Sequence, residues 1–151
     1  MSSYTVSTHV SAPVEKVFEV YTDLDKAADR IPGIVSLERL TDGPFAVGTR
    51  WRETRVVFKK EATEEMWVTG YDAPNSYTVG AESNGMKYAT EFSFVPDGDG
   101  TTVTWTFSGT PQTFGTKLMS PIFGVLMKGP MKKLMMQDLE ALRVACEGGA
   151  S

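Results

Sequence analysis

The sequence predicts an α+β domain: a seven-stranded antiparallel curved sheet wrapped around a long C-terminal helix, with two short helices after the first strand. Three observations carry this expectation. The chain opens on a strand pattern that turns into a helix pattern, its middle is a series of short alternating runs broken by turn residues, and its end carries an apolar stripe at helical spacing. No repeat, linker or low-complexity run divides the 151 residues, so residues 1–151 are expected to form a single domain.

Tyr4, Val6, Thr8 and Val10 alternate with Thr5, Ser7 and His9, the period of a half-buried strand, and His9 falls on its polar side. Ser11-Ala12-Pro13 then supplies a helix start, with Pro at or near the first helical position and Glu15 in the positive first turn. Val14, Val17, Phe18 and Tyr21 follow at one-face spacing, and a second short helix is expected over about Leu24 to Arg30, ended by Pro32-Gly33. Strands are expected near Ile34–Leu40, Thr49–Phe58, Glu61–Tyr71, Ser76–Ser83, Met86–Val95 and Thr101–Thr110. Their separators, among them Asp42-Gly43-Pro44, Asn84-Gly85 and Asp97-Gly98-Asp99-Gly100, contain the residues that tight turns require. Connections this short join only antiparallel neighbours, so the strands form a meander.

Beyond Pro111 the pattern is helical but interrupted by Pro121 and Gly129-Pro130. Met131, Leu134, Met135, Leu139, Leu142 and Cys146 form one stripe, opposite Lys132, Lys133, Gln137, Glu140 and Arg143, which predicts a terminal amphipathic helix of about four turns. That helix has one broad apolar surface on which to bury its stripe, the inner face of the sheet. A strongly twisted sheet curling around one helix leaves space for a cavity. The segment from Phe114 to Met131, rich in both bulky apolar residues and helix breakers, is expected to gate it.

Composition excludes several function classes. Fifteen basic against nineteen acidic residues leave a net charge of -4, a poor surface for nucleic acid. One cysteine (Cys146) and one histidine (His9) remove disulfides and Cys- or His-rich metal sites, so no metal and no cofactor is expected. The N-terminus lacks the basic and apolar regions of a signal peptide, and the longest apolar stretch, Pro121 to Met127, is far below the roughly 18 residues of a bilayer span. A cytoplasmic location without integral membrane association is the expectation. From Gln112 onward, however, five basic residues face three acidic ones, and a basic, Met-rich end could touch an anionic membrane transiently.

The candidate ligand-binding residues are the aromatics and flexible thioethers facing the expected cavity: Trp51, Tyr77, Tyr88, Phe92, Trp105, Phe123, Met127, Met131 and Met135. Five of the eight methionines lie between Met119 and Met136, a cluster that adapts to varied apolar shapes. Candidates for chemistry are Glu53, Arg55 and Tyr88. Period-two geometry puts Trp51, Glu53 and Arg55 on one face of their strand. If that face is inward, Glu53 and Arg55 form a partly buried pair able to orient a polar group or move a proton; if outward, they are a solvated pair. The solvated arrangement is the expected one. Glu61, Glu64 and Glu65 are likewise expected to form an exposed acidic edge.

Val10-Ser11-Ala12-Pro13-Val14-Glu15-Lys16-Val17-Phe18, followed by Thr22-Asp23-Leu24, resembles the START-like superfamily with the helix-grip fold, in its bacterial polyketide cyclase/dehydrase and lipid-transport branch. The Val47-Gly48-Thr49 turn and the turn from Pro96 to Thr102 extend the likeness, and the order of elements matches over almost the whole chain. These motifs specify a helix start, turns and hairpins and carry no active-site residue. The resemblance therefore implies the fold and the binding or transport of a hydrophobic small molecule, a lipid or aromatic polyketide-like compound, between sheet and terminal helix. A polyketide cyclase/dehydratase-like enzyme is the alternative, and an interaction module like the Hsp90-ATPase-activator branch a weaker one. A dry lining favours carriage, whereas a buried Glu with a polarised partner favours chemistry.

Overall fold

The computed structural model describes residues 2–57, 59–83, 86–111 and 132–148. Strand β1 (Ser2–Val10) leads into α1 (Val14–Thr22), a 3-10 turn (Leu24–Lys26) and α2 (Ala27–Arg30). Strands β2 (Ile34–Arg39), β3 (Arg50–Val57), β4 (Lys60–Asp72), β5 (Ser76–Ser83), β6 (Met86–Asp97) and β7 (Gly100–Pro111) follow, and a terminal helix, α3, spans 132–147. All strands form one antiparallel sheet in the order β1-β7-β6-β5-β4-β3-β2. Six of them are the expected meander, and β1 closes beside β7.

The second short helix is split. Asp23 and Lys26 have non-helical backbone angles, so Leu24–Lys26 winds as a 3-10 turn before α2 begins. Pro13 sits just ahead of α1 in extended conformation, and Glu15 occupies the first turn as expected. Register shifts between Ile34 and Ser36 and between Val68 and Gly70 mark bulges in β2 and β4, features that add bend and twist to a sheet.

Alternation sorts side chains between two faces. The inner face takes Val6, Trp51, Val68, Tyr77, Val79, Phe94, Val103 and Trp105, all buried, and α1 adds Val17, Phe18, Val20 and Tyr21 to the same core. Met135, Leu139, Leu142 and Cys146 of α3 complete it. Of the stripe read from the sequence these four are buried, Leu134 is half-buried, and Met131 lies outside the described residues. On the outer face Trp67 covers Gly80, where an added Cβ would lie 3.2 Å from its Nε1, and Arg50 stacks on the same indole at 4.6 Å. His9 is exposed, its Nε2 lying 3.2 Å from the carbonyl oxygen of Asp97.

Candidate functional site

The inner face has two unlike ends. Beneath α1, Tyr21, Tyr77, Phe92, Phe94 and Trp105 pack ring on ring. Tyr77 and Phe92 stack at 4.7 Å, Tyr21 meets Phe94 edge-on at 5.0 Å, and Phe92 meets Trp105 at 5.2 Å. The polar tips of this cluster are used internally. Trp105 Nε1 donates to Tyr21 Oη at 3.0 Å, and Tyr77 Oη donates to the Tyr21 carbonyl at 3.4 Å. Burial pushes the hydroxyls of Tyr21 and Tyr77 well above the ordinary tyrosine range, so both remain neutral, Tyr21 accepting and Tyr77 donating.

The other end lies where β3 faces α3. Here the structure corrects the expected solvated face of β3: Trp51 is 5% and Glu53 7% exposed. Arg55 Nε donates to Glu53 Oε2 at 2.5 Å, and Arg55 Nη1 to Asp138 Oδ2 of α3 at 2.7 Å. Burial works against the Arg55 charge, but the two carboxylates outweigh it and raise its pKa. Burial raises Asp138, Arg55 opposes that rise, and the neighbouring Glu53 adds to it. The reason for the inward turn is a partner the strand cannot supply. A charged face is tolerated inside when its ions are paired, and α3 brings the second carboxylate.

Two further groups adjoin this cluster. Glu64 stands directly opposite Glu53 in the β3–β4 register and therefore shares its face. It is half-buried, which corrects the expected exposed acidic edge; Glu61 and Glu65 are exposed. Trp51 Nε1 is buried without a hydrogen-bond partner among the described residues, in contrast to the paired indole of Trp105. Phe45, from the loop before β3, tilts against Trp51 at 6.3 Å and meets Tyr77 edge-on at 5.1 Å.

Of the candidates read from the sequence, Tyr77, Phe92 and Trp105 come together in the aromatic end. Trp51, Glu53 and Arg55 come together in the polar one. Tyr88 lies half-buried on the inner face, stacked on Phe107 at 5.6 Å; burial and then Glu64 raise its hydroxyl above the usual value. Met135 is buried in the core. Phe123, Met127, Met131 and the whole expected gate from Phe114 to Met131 lie outside the described residues. Sequence reading missed Asp138, Tyr21, Phe45 and the inward position of Glu64. For Asp138 a clue was present: it lies three residues after Met135 and four before Leu142, a charge on the buried stripe of an amphipathic helix. No described helix is long and apolar enough to cross a membrane, and no group of metal-binding residues occurs among the described residues.

A family model described as polyketide cyclase/dehydrase and lipid transport matches residues 1–147. Among solved structures, the chain superposes on a protein from Thermus thermophilus with a TM-score of 0.78 at 20% identity, covering 99% of each chain. An aromatase/cyclase from a Streptomyces species gives 0.79 at 17% identity, over 96% of this chain and 93% of the other. Norcoclaurine synthase from Thalictrum flavum, in complex with dopamine and hydroxybenzaldehyde, gives 0.72 at 19% identity, over 99% and 88%. At these identities the likeness establishes the helix-grip fold alone. No relative among curated proteins matches the sequence.

Proposed function

The chain belongs to the polyketide cyclase/dehydrase and lipid-transport family, and on that premise we propose that it binds a hydrophobic small molecule, lipid or aromatic polyketide-like in kind, between the curved sheet and α3. The observation that carries this reading is the composition of the inner face. Met66, Tyr88, Phe92 and Phe107 are only half-buried on it, and the same face carries the Glu53–Arg55 pair that Asp138 of α3 meets. Apolar walls with a few convergent polar groups are the ordinary make-up of a small-molecule site. Native mass spectrometry of protein from its own host, with calorimetric titration of a neutral naphthalene ligand, tests it. A co-purifying apolar compound or saturable one-to-one binding is expected. Neither being found overturns the reading.

A second reading has its own support. A dry lining would favour simple carriage, but Glu53 is buried beside a guanidinium and Asp138 holds its proton to a higher pH than an ordinary carboxylate. Such a pairing suits a cyclase or dehydratase. In that scheme Glu53 takes the α-proton of a β-hydroxy ketone while Arg55 donates to the ketone oxygen, Asp138 gives a proton to the departing hydroxyl, and water leaves as the carbon–carbon double bond forms. Absorbance of the enone product reports turnover. Asp138→Asn should retain ligand binding and lose about a hundredfold or more in rate, the scale of a lost proton-transfer group. Unchanged turnover in that variant would remove Asp138 from the reaction.

A further inference from the structure

The two carboxylates on Arg55 bear on what kind of polar group this site accepts. An exposed or singly paired arginine offers its fork to an anion and grips a carboxylate or phosphate with two parallel hydrogen bonds. Arg55 instead has its charge already matched by two carboxylates. Its Nε is taken by Glu53 and its Nη1 by Asp138, while Nη2 has no partner among the described residues. With both acids ionised, the three side chains carry one negative charge in excess. With Asp138 protonated they are neutral. In neither state do these three side chains carry a positive excess to offset a ligand anion.

A neutral oxygen meets no such obstacle. A ketone can accept from Nη2 of Arg55, and a hydroxyl can also donate to a carboxylate oxygen of Glu53 or Asp138, with no like charges brought together. We infer that the polar end of the ligand is an uncharged oxygen, a ketone or a hydroxyl, and that the Glu53–Arg55–Asp138 cluster turns away carboxylates and phosphates. Rejection by repulsion is a recognised source of specificity alongside attraction. This deepens the proposed binding function and rests on it. Within the two ligand kinds named there, it selects neutral ketides and alcohols over fatty acids and anionic lipids.

Two probes of nearly identical shape separate the cases: 2-acetylnaphthalene, a ketone, and 2-naphthoate, its carboxylate counterpart. Calorimetric titration of the unmodified protein at pH 7.5 should give an affinity for the ketone at least about tenfold higher, the scale of a like-charge effect of one pK unit. Equal or tighter binding of 2-naphthoate overturns the inference while leaving the binding function standing. Binding of neither probe overturns the binding function itself, and the selection with it. In the double variant Glu53→Gln with Asp138→Asn, Arg55 regains its positive excess, and the ratio of the two affinities should fall at least about fivefold. An unchanged ratio in a variant with native circular dichroism also overturns the inference. If that variant does not fold, the comparison on the unmodified protein decides alone.

Discussion

The aromatic end of the inner face and the polar end treat the same problem, buried polar atoms, in opposite ways. Under α1 the indole of Trp105 and the hydroxyl of Tyr77 find partners on Tyr21, so burial of large rings adds stability with little desolvation cost. Between β3 and α3 the indole of Trp51 has no partner among the described residues, and three charged side chains are gathered where hydrophobic ones would serve folding as well or better. The difference teaches where each role resides. The first region holds the fold together, and the second carries the polar groups on which the proposed ligand binding rests.

Mutations at the two ends should separate these roles. The largest effect is expected at Phe94, 1% exposed and in ring contact with Phe18, Tyr21 and Tyr77. Phe94→Ala should lose about 3–5 kcal/mol by urea denaturation. A loss below about 1 kcal/mol would mean that this end is not the structural one.

Next comes Arg55→Met, which leaves Glu53 and Asp138 buried without their cation. The Arg55 side chain is 27% exposed, so the loss at pH 7 should be about 2–3 kcal/mol, under the ~3–5 of a fully buried pair. It should shrink as pH falls, because protonation removes the uncompensated charges. Asp138 supplies a sign of its own. Its pKa is raised in the folded state, so the native protein holds this proton where the unfolded chain has lost it. Stability from this group is therefore fully present below the ordinary carboxylate pKa and declines as pH rises through the interval up to the raised value. Asp138→Asn should remove that slope from a pH series of denaturation curves, and a slope that persists assigns it to another group.

The two indoles give the sharpest comparison, since the same substitution should differ in outcome. Trp105→Phe strips Tyr21 Oη of its donor and should cost about 1–2 kcal/mol. Trp51→Phe deletes a donor that bonds nothing among the described residues, and the stability change should stay within about 0.5–1 kcal/mol of zero in either direction. Equal losses at both sites would dissolve the contrast between the two ends. The smallest effect belongs to neither region: His9→Ala, on the exposed face of β1, should change stability by less than about 0.5 kcal/mol and leave ligand binding intact. Loss of binding with the fold preserved would place the site on the wrong face of the sheet.

Much of the fold was legible because its determinants are local. Alternation marked all seven strands, the Asp-Gly and Pro-containing turns set their limits, and the helical spacing from Leu134 to Cys146 marked α3. The split before α2 was not legible, since it turns on backbone angles at Asp23 and Lys26 that no hydrophobic period records. For the site, periodicity placed Trp51, Glu53 and Arg55 on one face of their strand, and it placed Tyr77, Phe92 and Trp105 on the apolar faces of β5, β6 and β7, which the sheet sets side by side.

Which face turned inward was a different matter. A strand's period says which side chains share a side, while the side that is buried depends on what the rest of the chain presents to it. Charges on a strand point outward by default because an unpaired ion cannot be buried, and only the arrival of Asp138, far along the chain on α3, makes Arg55 and Glu53 tolerable inside. The missing partner of Trp51 Nε1 is likewise a property of its surroundings in three dimensions. The sequence by itself therefore determined the elements, their order and the sharing of faces, because those follow from neighbours in the chain. The tertiary structure alone decided which polar groups are paired, buried or left wanting, because desolvation and Coulomb energies depend on distance in space and not on separation in sequence.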